Sequence, residues 1–305
     1  MTEEAASWAV DTWALALGAA PPTHIPSPPA PFATPKHMSQ VSPARHNPTA
    51  PSSPTYMQPD HRHLTITSPI PIELIRIPAG DFLMGSDPTR DPDALENEQP
   101  QRTVTLSEYY IGKHPITNHQ YAGYLARDPK ALAASPFVLY NLPAGHPANF
   151  VSFHNAMAFV RWLSEATGLK VGLPKEAEWE RAARGTGGNT YPWGDSPPTE
   201  ALCNFANNVS GDPRTTPVGF YSPQGDSPDG CADMAGNVME WTLGLADRVW
   251  RNHGWRNQGY RILRGGSYAA PQQYVRSSCR SSSDDPKRQN GLFGFRIVVR
   301  PPLAS

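Results

Sequence analysis

Apolar positions fall into a strand-like pattern near Ile70. Ile72, Leu74, Ile75 and Ile77, then Phe82, Leu83 and Met84, read as short strands split by Pro78-Ala79-Gly80. Residues 87–101 are polar and turn-rich, and Val104, Leu106, Tyr109, Tyr110 and Ile111 predict the next strand. Thr117-Asn118-His119-Gln120 is a capping box: the threonine hydroxyl satisfies an orphan backbone N–H and the glutamine reaches back. It opens a helix through Leu125, with Tyr121, Tyr124 and Leu125 on one face. A second helix is expected from about Asn155 to Thr167, where Ala156, Phe159, Val160 and Leu163 hold the i, i+3, i+4, i+7 face and Gly168 stops it. A third starts at Pro174, whose missing N–H costs nothing there, and runs from Lys175 to Arg184 before Gly185. Beyond it the chain reads as loops and short strands. Alternating helices are missing, so a parallel βαβ sheet is excluded and an α+β domain is expected.

Upstream of Ile70 the pattern changes. Residues 1–19 carry Trp8, Val10, Trp13, Leu15 and Leu17 and read either as a weakly helical tail or as a docking helix for a partner domain. Residues 20–69 read as a linker, because prolines mixed with Ser, Thr and His bury too little apolar surface to offset ordering entropy. The expected organisation is therefore a tail at 1–19, a linker at 20–69 and a globular domain at 70–305.

Composition narrows the function classes. Thirty-five prolines in 305 residues exclude a coiled coil or an all-helical bundle. A net charge of −1 points to neither a nucleic-acid nor a membrane partner. Cys203, Cys231 and Cys279 are too few for a disulfide framework and form no CxxC. No apolar run is long enough to cross a bilayer, and Glu3, Glu4 and Asp11 precede the short apolar stretch at 13–17 where a signal peptide would be basic. A cytoplasmic protein is expected.

Seven blocks then carry a resemblance. They are Ile77-Pro78-Ala79-Gly80-Asp81-Phe82-Leu83-Met84-Gly85-Ser86, His114-Pro115-Ile116-Thr117-Asn118, Leu173-Pro174-Lys175-Glu176-Ala177-Glu178-Trp179-Glu180 and Tyr191-Pro192-Trp193-Gly194, followed by Asp233-Met234-Ala235-Gly236-Asn237-Val238-Met239-Glu240-Trp241, Leu263-Arg264-Gly265-Gly266-Ser267-Tyr268 and Gly294-Phe295-Arg296. In this order they resemble the formylglycine-generating-enzyme (sulfatase-modifying factor) family across roughly residues 70–300. The resemblance implies a loop-rich, C-type-lectin-like α+β fold with few helices and short antiparallel strands.

It also implies where chemistry would sit. The family's oxidases hold copper(I) with two cysteines shortly after the Gly-Gly-Ser block, as soft thiolates should. Ala270 and Val275 occupy those positions, Met239 stands where a tryptophan lines the oxygen site, and Ser267 is retained. No copper is expected. A second branch holds iron with histidines on a separate helical domain; His61 and His63 lie in the proline-rich stretch and are read as solvated linker residues. The resemblance places structural calcium at the turn bracketed by Asp233 and Glu240, held by those carboxylates and by the carbonyls of Gly236 and Val238, which suits a hard cation. Asn204 matches a ligand of a second calcium site. The alternative is a metal-free turn in which Asp233 bonds backbone N–H groups. Trp179, Trp193 and Trp241 are expected in the core, with Arg264 and Arg296 as internal hydrogen-bonding arginines.

The stretches 250–260 and 268–290 interleave aromatics and arginine with small polar residues, the chemistry of a recognition surface. Trp255, Tyr260, Ser267, Tyr268, Tyr274 and Arg276 are the expected ligand contacts. The function expected is a non-catalytic module binding a protein or peptide, in the manner of a sensor or recognition component of bacterial signalling or defence. In one branch of the family, the variable proteins of diversity-generating retroelements, this stretch is diversified. Two other readings stay open: a metal-dependent oxidoreductase acting on a thiol, and a structural assembly subunit.

Overall fold

The computed structural model describes residues 56–57, 62–127, 142–206, 214–246, 249–251, 254–256, 259–280 and 282–301. Contacts divide the chain into two units: residues 1–53 with 250–254, and residues 54–249 with 255–305. The expected tail at 1–19 lies outside the described residues, as does most of the expected linker.

The second unit opens with β1 (Tyr56–Met57), β2 (His63–Ile66) and β3 (Ile72–Ile77). Globular structure therefore begins earlier than Ile70. Leu64 and Ile66 alternate inward and pair with Leu74 and Ile72, so these two side chains anchor a segment whose prolines suggested a linker. The ribbon of β4 (Gly80–Met84) and β5 (Arg102–Leu106) follows, then β6 (Tyr109–Gly112). The single strand expected at 104–111 is thus two, belonging to different sheets.

Three α-helices form among the described residues, each where its capping signals stand. Helix α1 (Asn118–Leu125) carries the Thr117–Gln120 capping box. Helix α2 (Phe153–Thr167) starts two residues before the apolar periodicity suggested, because Ser152 and Asn155 form a second capping box, and it ends at Gly168 in the left-handed region. After β7 (Val171–Gly172), helix α3 (Glu176–Arg184) ends at Gly185. The remaining strands are β8 (Met239–Leu245), β9 (Val249–Arg251), β10 (Gly254–Arg256), β11 (Arg261–Arg264), β12 (Ser282–Asp284), β13 (Phe293–Gly294) and β14 (Val298–Val299).

One sheet has the order β1-β2-β3-β6-β14-β7 with antiparallel pairs. A four-stranded sheet runs β12-β11-β8-β13, with β13 parallel to β8. Chain-end strand β14 inserts between β6 and β7, so residues near 75, 110, 171 and 298 meet in one layer. Trp179 of α3 packs onto that layer with Ile77, Tyr109, Ile111, Met234 and Val298. A second core region stacks Tyr121 and Tyr124 of α1 on Phe159 and Trp162 of α2, with Phe295 meeting Phe159 edge-on at 5.3 Å. No helix among the described residues is long and apolar enough to cross a membrane.

Phe159 is fully buried and touches four of those rings. Phe159→Ala should cost about 3–5 kcal/mol, the sum of lost transfer energy and a cavity. Urea unfolding reads this directly, and a loss below ~1 kcal/mol would remove the aromatic stack from the core.

Candidate functional site

The turn before β8 folds on left-handed backbone at Asp233, Gly236 and Asn237, with φ of 55°, 75° and 61°. Only glycine fits at 236, where a Cβ would lie 2.0 Å from the Asn204 carbonyl. The turn sets Gly236 and Asn237 against Asn204, whose carbonyl accepts the Asn237 N–H and whose side chain donates to the Arg214 carbonyl at 2.8 Å. Asp233 Oδ2 accepts the Gly219 N–H at 2.6 Å, and Asn237 Nδ2 donates to its other oxygen at 3.4 Å. Burial pushes the Asp233 carboxyl up to about 6, against the lowering effect of the Gly219 bond and of Arg296.

Glu240 is wholly buried, and both of its oxygens are engaged. Arg296 donates from Nε to Oε2 at 2.6 Å and from Nη2 to Oε1 at 2.7 Å, and Trp179 Nε1 donates to Oε2 at 2.8 Å. The same guanidinium reaches the carbonyls of Gly112 and Ala232. Calcium shared by Asp233 and Glu240 would compete with a bidentate guanidinium that already supplies the compensating charge. Among the described residues no group of three or more His, Cys, Asp or Glu side chains is gathered for a metal ion. The donor set as arranged does not fit a cation held between these two carboxylates; Asp233 bonds backbone N–H instead.

The loop after β11 is set by Gly265 and Gly266, both at positive φ, and a Cβ on Gly266 would lie 2.7 Å from the Tyr274 carbonyl. Within it Ala270 and Val275 are buried, so apolar side chains occupy the two positions that the resemblance gives to copper thiolates. The three cysteines are buried, free thiols, and burial pushes Cys203 and Cys231 up to about 12. Neither of those two is a ready thiolate.

Two expected ligand contacts are internal. Arg276 is 1% exposed and grips Glu98 with Nη1 and Nη2 at 2.7 and 2.9 Å, with Nη1 also 2.7 Å from Asp91. Ser267 is fully buried, and its hydroxyl accepts the Ala269 N–H. Their polarity serves the interior, because a loop-rich core must satisfy its backbone and charges with side chains. Tyr260, Tyr268 and Tyr274 are half-buried. The Trp255 side chain lies outside the described residues. A single surface joining all six is therefore not formed.

Sequence reasoning passed over a polar cleft of about 250 Å³ that Gln272 of this loop helps to line. Its walls are the 86–93 segment, Arg184 and residues 190–197, and Gln272 closes it. Tyr191 lines it and stacks on half-exposed Trp193 at 5.4 Å and 2°. Trp193 is thus a support for Tyr191, whereas Trp179 and Trp241 are core residues. The signal was the run of aspartates at 87, 91 and 93, which reads from sequence as solvated turn.

Residues 67–301 match the family model described as the sulfatase-modifying factor enzyme 1-like domain, and the chain belongs to that family. It is 30% identical to the formylglycine-generating enzyme of Streptomyces coelicolor, across 76% of this chain and 90% of that one. It is 28% identical to the hercynine oxygenase of Mycolicibacterium smegmatis, across 73% of this chain, and spans 60% of that relative's length. Among solved structures, Treponema denticola variable protein 1 superposes with a TM-score of 0.60 at 24% identity, across 78% of this chain and 98% of that one, a likeness of fold.

The Glu240 geometry gives a sharp expectation. Glu240→Gln removes one member of a buried pair and should cost about 3–5 kcal/mol. Chemical denaturation with calcium present and with chelator present should give the same loss. A loss confined to the calcium condition would make Glu240 a metal ligand.

Proposed function

We propose that this chain is a non-catalytic member of its family that binds a protein or peptide ligand. The observation that carries the reading is the burial of Ala270 and Val275 at the two thiolate positions, beside a Cys279 that is itself 3% exposed. Copper(I) chemistry on a cysteine substrate needs a pair of soft, accessible ligands, and this loop offers none. What it offers outward is half-buried Tyr268 and Tyr274 and exposed Gln272, residues suited to recognition.

In this reading the chain serves as a sensor or recognition component, and residues 1–19 hold a partner domain. A diversified C-terminal loop is a special case of it. Calcium would belong to this reading only through Asp233 and the Gly236 and Val238 carbonyls. The competing reading, an oxidoreductase acting on a thiol, is favoured by relatives named as enzymes at 28–30% identity.

Incubated with copper(I), oxygen and a cysteine-containing sulfatase peptide, the full chain should leave the cysteine unchanged by mass spectrometry. Formylglycine above a no-protein control would overturn the binding reading and restore the oxidase.

A further inference from the structure

We propose that strand β5 (Arg102–Leu106) is a docking edge for a second copy of this chain, which adds its own β5 antiparallel to form a two-fold dimer. This goes beyond the reading of the site and does not depend on what the loop after β11 binds.

The ribbon of β4 and β5 is a sheet of its own, regular in register from Gly80↔Leu106 to Met84↔Arg102. One face is turned inward: Phe82 and Met84 are buried, and Leu106 packs against the core cluster around Trp179. The other face carries Asp81, Thr103 and Thr105, all exposed. The two edges of the ribbon differ. On the β4 side the Leu83 N–H donates to the Thr186 carbonyl at 3.4 Å, so that edge is partly covered. The same bond fixes the phase of the ladder. Leu83 turns its backbone away from β5, so Thr103 opposite it turns its N–H and C=O away from β4, and Thr105 does likewise two residues on. Among the described residues none of these outward groups has a hydrogen-bond partner. No residue from Gln101 to Glu108 is buried, so a neighbouring strand has room to approach. The usual protections of an edge are missing: β5 holds no lysine, no proline and no bulge.

What fits this edge is β5 itself. Arg-Thr-Val-Thr-Leu reads nearly the same in either direction about Val104. A two-fold axis at Val104 sets each Thr103 opposite Thr105 of the second copy, and their outward N–H and C=O groups exchange bonds. Threonine then meets threonine on the solvent face, a favourable cross-strand pair. Val104 meets Val104 on the inward face, and Arg102 lies opposite Leu106, so like charges do not face each other. Only this register uses both threonines of both copies within the strand. A net charge of −1 lets two copies approach without strong repulsion. The pairing is self-complementary and consumes the edge, so assembly closes at two copies.

Sedimentation velocity of the full chain tests this. The mass should move from that of one 33.3 kDa chain toward twice that value as concentration rises from about 1 to about 200 µM, as a small interface does. Thr103→Pro removes an outward N–H and no bond to β4, and should weaken association at least about ten-fold. Thr105→Lys keeps every backbone bond and should act in the same direction, which separates loss of pairing from damage to the ribbon. The register has its own readout. Facing Val104 residues would have Cα atoms about 4.5 Å apart, within disulfide reach. Val104→Cys should therefore cross-link two copies under mild oxidation, and Phe220→Cys, at an exposed site outside the ribbon, should not. The native cysteines are buried and leave this background low. A monomer at every concentration overturns the proposal, whether the edge amides exchange freely or another segment of the same chain covers them. So does a dimer that both threonine substitutions leave intact, or one that Val104→Cys does not cross-link above the Phe220→Cys control. None of these outcomes bears on the non-catalytic reading, which the cysteine-peptide assay decides.

Discussion

The domain depends on buried guanidinium–carboxylate pairs. Arg296 binds Glu240, Arg264 and Arg184 share Glu180, and Arg276 binds Glu98, and the guanidiniums and carboxylates are nearly or fully removed from solvent. Each pair is far apart in sequence except Arg184–Glu180, so together they join helix α3 and strands β8 and β11 to the segments around Glu98, Arg276 and Arg296. A fully charged group buried without its partner costs several kcal/mol, which makes every pair a strong constraint on where its loops lie. Glu180 also accepts the Gly85 N–H, and Arg264 donates to the Ser277 carbonyl, so the pairs satisfy backbone as well as charge.

This constraint explains why the site differs from the one its residue types suggest. Arginines and serines in the C-terminal loop resemble a recognition surface by composition. The structure spends Arg276 and Ser267 on the interior and leaves Gln272, Gln273 and Tyr274 outward. Ala270 and Val275, at the positions the resemblance gives to copper ligands, are apolar and buried within a frame held by these pairs. Family membership therefore fixes the scaffold more firmly than the chemistry, which belongs to the few side chains at the site.

Much of the fold was legible. The three helices among the described residues carry local signals, two capping boxes and two terminal glycines, that act within four residues and so can be read from spacing. The expectation of internal Arg264 and Arg296 also holds, and the seven blocks gave the family. Strand β2 was missed because its two inward residues, Leu64 and Ile66, sit in a proline-rich context. Its stability comes from pairing with β3, which local composition does not reveal. The Arg296 partner of Glu240 was not legible for the same kind of reason: the Asp233–Glu240 spacing is local, whereas Arg296 lies 56 residues on. The cleft was invisible because its walls come from three separate segments.

A crystal structure of the full chain grown with both calcium and copper(I) tests the central claim most directly. The account predicts Glu240 in two-point contact with Arg296, Arg276 on Glu98, and Ala270 and Val275 packed without a metal. An ion bound by Glu240 with Arg296 displaced, or copper held in the 270–279 loop, would contradict it.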